Sequence, residues 1–237
     1  DAPIHDALAD GAGYAAGFGI KTLLDLDVRL AREAFQRDYP GEMQEMLRVR
    51  EAARNADGDT VFEVAPEKLS DHYTARTKKV YDPLASRLVR AYAFSRTDAG
   101  IDPASVTDIT AACQVMESSA SIIRVAVPAS ATALPVVCVC VAFSHLTPDV
   151  FAPHLFEFQR ELLERYKDAH LAGACKDEWG FPPCFDGTPE HNDFWYSEAM
   201  AAAYLERTGR DLVRDCLLMY TNEAGREGDR QGAINRF

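Results

Sequence analysis

The chain has little positive charge: 25 Lys and Arg stand against 37 Asp and Glu in 237 residues, a formal net charge of −12. No Lys/Arg block or basic stripe occurs. Binding driven by a phosphate backbone, which runs on clustered cations, is therefore excluded, and no nucleic-acid partner is expected. Long apolar runs are missing too. None reaches the roughly 18 consecutive residues of a spanning helix, so a soluble protein with no membrane partner is expected. Cysteine is sparse, with 6 in the whole chain. That is too few for a disulfide scaffold of this length. Cys138 and Cys140 stand two apart in an apolar run, so they share one strand face and read as buried structural thiols. An initiator Met and a targeting segment are also lacking. The chain opens on Asp1 and closes on Ile234-Asn235-Arg236-Phe237, which reads as mid-sequence. Both ends are expected to be cut, and no compartment or oligomeric state is assigned.

What is present is ordinary for a packed protein. The hydrophobic fraction is 47% and the charged fraction 26%, which predicts a sizeable core rather than disorder.

The order of elements comes from periodicity. Leu8, Ala12, Ala15 and Phe18 predict a helix over 5–18, stopped at Gly19. Residues 20–27 are short, apolar and end in Asp25 and Asp27, the pattern of a buried parallel strand. Helices are expected over 28–37 and 41–54, then a turn. From 60 to 143 the texture changes. Segments 61–65, 76–80, 88–95, 121–127 and 136–143 are rich in β-branched and aromatic residues, with Asp98-Ala99-Gly100 and Asp102-Pro103 as turn signals. Thr147-Pro148 then predicts a helix start, and Leu155, Phe158, Leu162 and Tyr166 form a stripe on the helix that follows. A second short strand over 171–178 ends in Asp177 and Glu178. Two helices, 197–207 and 210–220, are separated by Gly209.

Strands alternating with helices imply a parallel sheet. Short strands ending in carboxylates favour a barrel, whose active site is built at the strands' carboxyl ends. The expected fold is therefore α/β: part of a TIM (β/α)8 barrel with an inserted, mostly antiparallel β region. Residues 1–59 and 144–237 are the barrel segments, and 60–143 the insertion.

Asp177-Glu178-Trp179 is the most informative stretch. Adjacent acids after an apolar strand are costly unless solvated, paired or used. A carboxyl group beside an indole loses solvation, which raises its pKa as a general acid requires. An open indole face also suits the apolar side of a sugar. The plain alternative is a strand end with two solvated acids and a packed Trp. Asp25 and Asp27 share one face of the other strand, and Arg29 can pair with either, as a substrate contact or as a structural salt bridge. His145 directly follows strand 136–143 and is a candidate ligand or proton carrier. Trp195 and Tyr196 lie in the loop after Glu178, as a sugar-pocket rim or as the cap of the next helix.

Strand 20–27, the helix at 151–168 and the run from Tyr166 through Gly173 to Trp179 resemble a pattern in glycoside-hydrolase-type (β/α)8 barrels. There, a helix ending in Tyr and Asp leads through a Gly-containing strand to acids at the pocket. The resemblance implies a barrel acting on a carbohydrate, with Glu178 or Asp177 as a catalytic carboxylate and a second carboxylate from another strand. No cofactor and no metal are assigned.

Three functions follow as expectations. The first is glycoside hydrolysis of an oligo- or polysaccharide, with Glu178 as acid and Asp177 shaping its environment. Asp27 qualifies as second carboxylate only if its strand neighbours strand 171–178. The second is a metal-dependent sugar isomerase or lyase, with Asp25, Asp27, Asp177, Glu178 and His145 as hard or imidazole ligands. The third is a non-catalytic carbohydrate-binding barrel using Trp179, Trp195 and Tyr196.

Overall fold

The computed structural model describes residues 2–25, 31–66, 82–98, 100–175, 193–220 and 233. In chain order its elements begin with α1 (Ala2–Ala16), β1 (Leu23–Asp25), α2 (Arg32–Asp38), β2 (Met43–Ala53), β3 (Thr60–Val64) and β4 (Ala85–Phe94). Short strands β5 (Arg96–Thr97), β6 (Gly100–Ile101) and β7 (Thr107–Asp108) follow, then β8 (Gln114–Ser118), β9 (Ile123–Val127) and β10 (Val136–Pro148). The remainder is α3 (Leu155–Glu164), β11 (Gly173–Cys175), β12 (Asp193–Tyr196), α4 (Glu198–Thr208) and α5 (Leu212–Tyr220). The chain divides into two compact units. One is Asp1–Met43 with Thr147–Pro183, and the other is Gln44–Leu146 with Cys184–Phe237.

The second unit is built on β10. A five-stranded sheet runs β12-β2-β10-β4-β7, and a three-stranded sheet runs β3-β9-β8. β10 pairs antiparallel with β4, and β12 with β2. Backbone bonds from Arg54 N–H to Pro135 (2.8 Å) and from Asp149 N–H to Glu42 (2.9 Å) set β2 antiparallel to β10. Alternate residues of β10 face opposite ways. Val137, Val139, Val141 and Phe143 pack with Phe62, Val64, Ile123 and Val125 of the smaller sheet. Cys138, Cys140 and Ala142 pack with Tyr204, Leu212, Cys216 and Leu217 of the helices. Both faces are covered, so the strand reads as one apolar run although its sheet is antiparallel. Each such buried aliphatic or aromatic side chain stabilises by roughly 1.5–3 kcal/mol.

Residues 41–54, expected as a helix, form β2. Glu, Met, Leu, Arg and Ala are all strong helix formers. The period that decides is two: Leu47 and Val49, both fully buried, enter the helix-side core, while Arg48 donates from Nη1 to the carbonyl of Ala65 at 2.6 Å. Pairing on both edges overrides propensity.

The two closing helices follow their capping signals. Ser197 Oγ accepts the Met200 N–H at 2.9 Å to start α4. Gly209 ends it at φ 69°, a left-handed conformation that favours glycine. Asp211 then accepts the Arg214 N–H at 3.0 Å and starts α5.

The first unit holds α1, α2, α3 and the parallel pair β1-β11. Phe35 of α2 is fully buried. It meets Phe158 of α3 edge-on and Tyr39 at a tilt, both with ring centroids 5.1 Å apart. Tyr39 stacks on His154 at 4.4 Å, and His154 Nδ1 bonds Glu42 at 2.5 Å. Thr147-Pro148, expected to open a helix, instead ends β10. The chain turns after Asp149, whose carboxylate accepts the Phe151 N–H at 3.1 Å, and α3 begins only at Leu155.

The expected glycoside-hydrolase-type (β/α)8 barrel is overturned. The described sheets are mostly antiparallel, parallel pairing is confined to β1 and β11, and no closed barrel forms among the described residues. The fold is β-rich, with five helices among the described residues. A helix–strand–helix rhythm is a local signal, whereas closure depends on long-range pairing that the rhythm does not encode. The strand expected over 76–80 lies outside the described residues. No described helix is long and apolar enough to cross a membrane.

Candidate functional site

The site expected from the sequence would follow the carboxyl ends of β1 and β11. Leu23, Leu24 and Asp25 stand opposite Gly173, Ala174 and Cys175 in parallel register. A bond from the Ala172 N–H to the Thr22 carbonyl at 2.9 Å extends the ladder by one residue. A Cβ at Gly173 would meet Leu23 Cδ2 at 3.4 Å, an ordinary van der Waals contact. His170, at φ 51°, turns the chain just ahead of β11, a conformation uncommon for a residue with a Cβ.

Parallel strands point their carboxyl ends the same way, and neighbours lie about 4.8 Å apart. Asp25 and Cys175 therefore end side by side. In sequence, Asp27 comes two residues after Asp25, and Asp177 two residues after Cys175. Asp27, Arg29, Asp177, Glu178 and Trp179 lie outside the described residues. Asp25 is exposed, as are Leu23 and all three residues of β11. The pair is thus parallel as expected but is not buried on both faces.

The other expected site residues belong to the second unit. His145 is a buried residue of β10. Trp195 and Tyr196 lie on β12, opposite Met46 and Glu45 of β2. Trp195 is half-buried and Tyr196 is 2% exposed. Arg87 of β4 lies over the Tyr196 ring, 5.6 Å from its centroid. Its guanidinium forks onto Glu45 at 2.8 and 2.7 Å and reaches Glu198 at 2.9 Å. These carboxylates hold Arg87 firmly protonated, the Glu45 hydrogen bond leading. Burial, and then the Glu198 charge, push the Tyr196 hydroxyl up. At neutral pH Arg87 is therefore a cation beside a neutral Tyr196 phenol.

Sequence reasoning passed over this cluster and over the side chains on the outer turns of α3. The cluster joins residues 45, 87 and 198, and no local spacing announces it. Glu161 and Arg165, four apart on one helix, did carry a signal, because that spacing puts two side chains on one face. Among the described residues, no group of three His, Cys, Asp or Glu side chains is placed to hold a metal ion. No protein-family model, no curated protein and no solved structure matches the chain.

Proposed function

We propose that the protein hydrolyses a glycosidic bond in an oligo- or polysaccharide by carboxylate acid/base catalysis. Glu178 is the general acid, Asp177 shapes its surroundings, and Asp27 is the second carboxylate. The observation that carries this reading is the parallel register of β1 and β11. It supports the reading, since the two short strands that precede these acids in sequence are parallel neighbours in one sheet. A closed barrel is not required. Glycoside hydrolysis needs two carboxyl groups flanking one bond.

The acid gives its proton to the glycosidic oxygen as the bond to the anomeric carbon breaks. Water supplies the oxygen that replaces the leaving group, directly or after attack by the second carboxylate. The separation of the two carboxyl groups sets the outcome: roughly 5–5.5 Å for retention and about 6.5–9.5 Å for inversion.

The test is hydrolysis of a panel of aryl glycosides by the wild type beside Glu178→Gln and Asp27→Asn. A positioned acid contributes about 10²–10⁴-fold, so Glu178→Gln is expected to lose that much in kcat, with its circular dichroism unchanged. A rate that survives the substitution moves the chemistry away from Glu178. A wild type with no turnover on any glycoside refutes hydrolysis.

A further inference from the structure

The first unit contains a cleft of ≈ 640 Å³ between α1, α2 and the end of α3. That volume lies in the range of small-molecule sites, about 300–1,000 Å³. Its walls include the rings of Phe158 and Tyr166, and neither ring is loose. Phe158 is held edge-on by Phe35 at 5.1 Å, and Tyr166 leans on His5 at 5.4 Å. Both are half-buried.

Besides His5, whose Nδ1 meets Asp6 Oδ1 at 3.3 Å and whose Nε2 is buried without a hydrogen-bond partner among the described residues, the polar groups of the cleft divide into two sets. Arg37 and Asp38 are spent on each other, at 2.8 and 3.0 Å. Glu161, Arg165 and the Tyr166 hydroxyl enter no side-chain hydrogen bond or ion pair among the described residues. These three supply an acceptor, a forked donor and a group that does both. The formal charges of Glu161 and Arg165 cancel, as do those of Arg37 and Asp38. Hydroxyls that donate and accept, on a ring with an apolar C–H face, match such a lining.

We propose that this cleft binds a neutral saccharide of one or two rings. It is formed by residues other than the strand-end carboxylates, and it does not rest on the hydrolysis reading. The sugar ring lies against Tyr166 and Phe158, and its hydroxyls bond to Glu161 and Arg165. The aromatic walls are set before the ligand arrives, which lowers the ordering cost of binding.

The test is calorimetric titration of the whole chain with a panel of neutral mono- and disaccharides. The wild type is expected to bind at least one of them. Hydrogen bonds to charged groups are worth enough that Glu161→Ala/Arg165→Ala should weaken binding about tenfold or more. Both positions are exposed, so the fold should tolerate the change. Tyr166→Phe should weaken binding less than Tyr166→Ala, because it keeps the ring. Binding that survives the double variant overturns the proposal, as does a panel in which no saccharide binds. Binding lost in Glu178→Gln but kept in the cleft variants assigns the sugar to the strand ends instead. A cleft that binds without any turnover leaves this proposal standing while the hydrolysis reading fails.

Discussion

Removing the carboxylate of Asp215 should destabilise the second unit by about 3 kcal/mol. Asp215 of α5 is fully buried. It accepts the Tyr204 hydroxyl at 2.6 Å and takes Arg210 through Nε at 2.9 Å and Nη2 at 2.5 Å. The two partners differ in what they lose. The Arg210 side chain is 43% exposed, so in Asp215→Ala it returns to water and the loss resembles that of a surface pair, about 0–1 kcal/mol. Tyr204 is 7% exposed, so its hydroxyl loses its main acceptor inside the core, at about 1–3 kcal/mol. Deleting the hydroxyl as well should recover part of this. Tyr204→Phe alone should cost about 1 kcal/mol, and Tyr204→Phe/Asp215→Ala clearly less than the sum of the singles, with a coupling of about 1–2 kcal/mol. Urea unfolding followed by circular dichroism measures all four corners of the cycle. A strictly additive cycle, or Asp215→Ala costing under about 1 kcal/mol, would refute the assignment of the cost to the lost Tyr204–Asp215 bond.

Alkaline pH should weaken the fold. Burial first, with the Asp108 charge second, pushes the Cys113 thiol up to about 11. Cys216, Tyr92 and Tyr196 are raised chiefly by burial, and Cys138 chiefly by its bond to Cys140. A raised pKa means that the folded state holds the proton more tightly. The stabilisation is complete below the unfolded thiol value and drains away as pH rises through the folded one. Urea midpoints should therefore fall between about pH 9 and 11, and Cys113→Ala should flatten that slope; a midpoint constant across the range would contradict it. In the core, Leu47→Ala should cost about 2–5 kcal/mol, since Leu47 is fully buried against the helices. The edge-strand change Val61→Thr in β3, on a residue 55% exposed, should stay within about 0.5 kcal/mol. Similar costs at the two positions would argue against the packing of β2.

Much of the second unit was legible because its signals are local. Val136 through Phe143 cannot be placed except under cover on both sides, and the structure puts the smaller sheet on one face and α4 and α5 on the other. Gly209 marks the break between those helices through a conformation that favours glycine. β2 was not legible, because its residue types favour a helix and its period-two face shows only at Leu47 and Val49. Similarly, Thr147-Pro148 carries the residues of a helix start but ends a strand, since the bond from the Asp149 N–H to Glu42 keeps the chain extended past the proline.

The candidate site divides along the same line between local and long-range information. That segments 20–27 and 171–178 each hold a short strand followed by acids is written in consecutive residues, and both short strands form, at 23–25 and 173–175. That the two are neighbours, parallel and in step is information about residues some 150 positions apart, and no periodicity carries it. The barrel was an extrapolation from the local part to the global part, and it failed there. Acid/base chemistry needs less: two carboxylates delivered to one place. One register between two strands can deliver that, which is why the hydrolysis reading outlives the architecture that first prompted it. The cleft beside α3 shows the reverse case. Phe158, Leu162 and Tyr166 form a stripe that any periodicity analysis assigns to the core. Only the packing of α1 and α2 leaves two of those rings half open, beside the uncommitted Glu161 and Arg165. A helix face that is apolar by sequence and partly uncovered in the fold is where a ligand, rather than another element, can complete the burial.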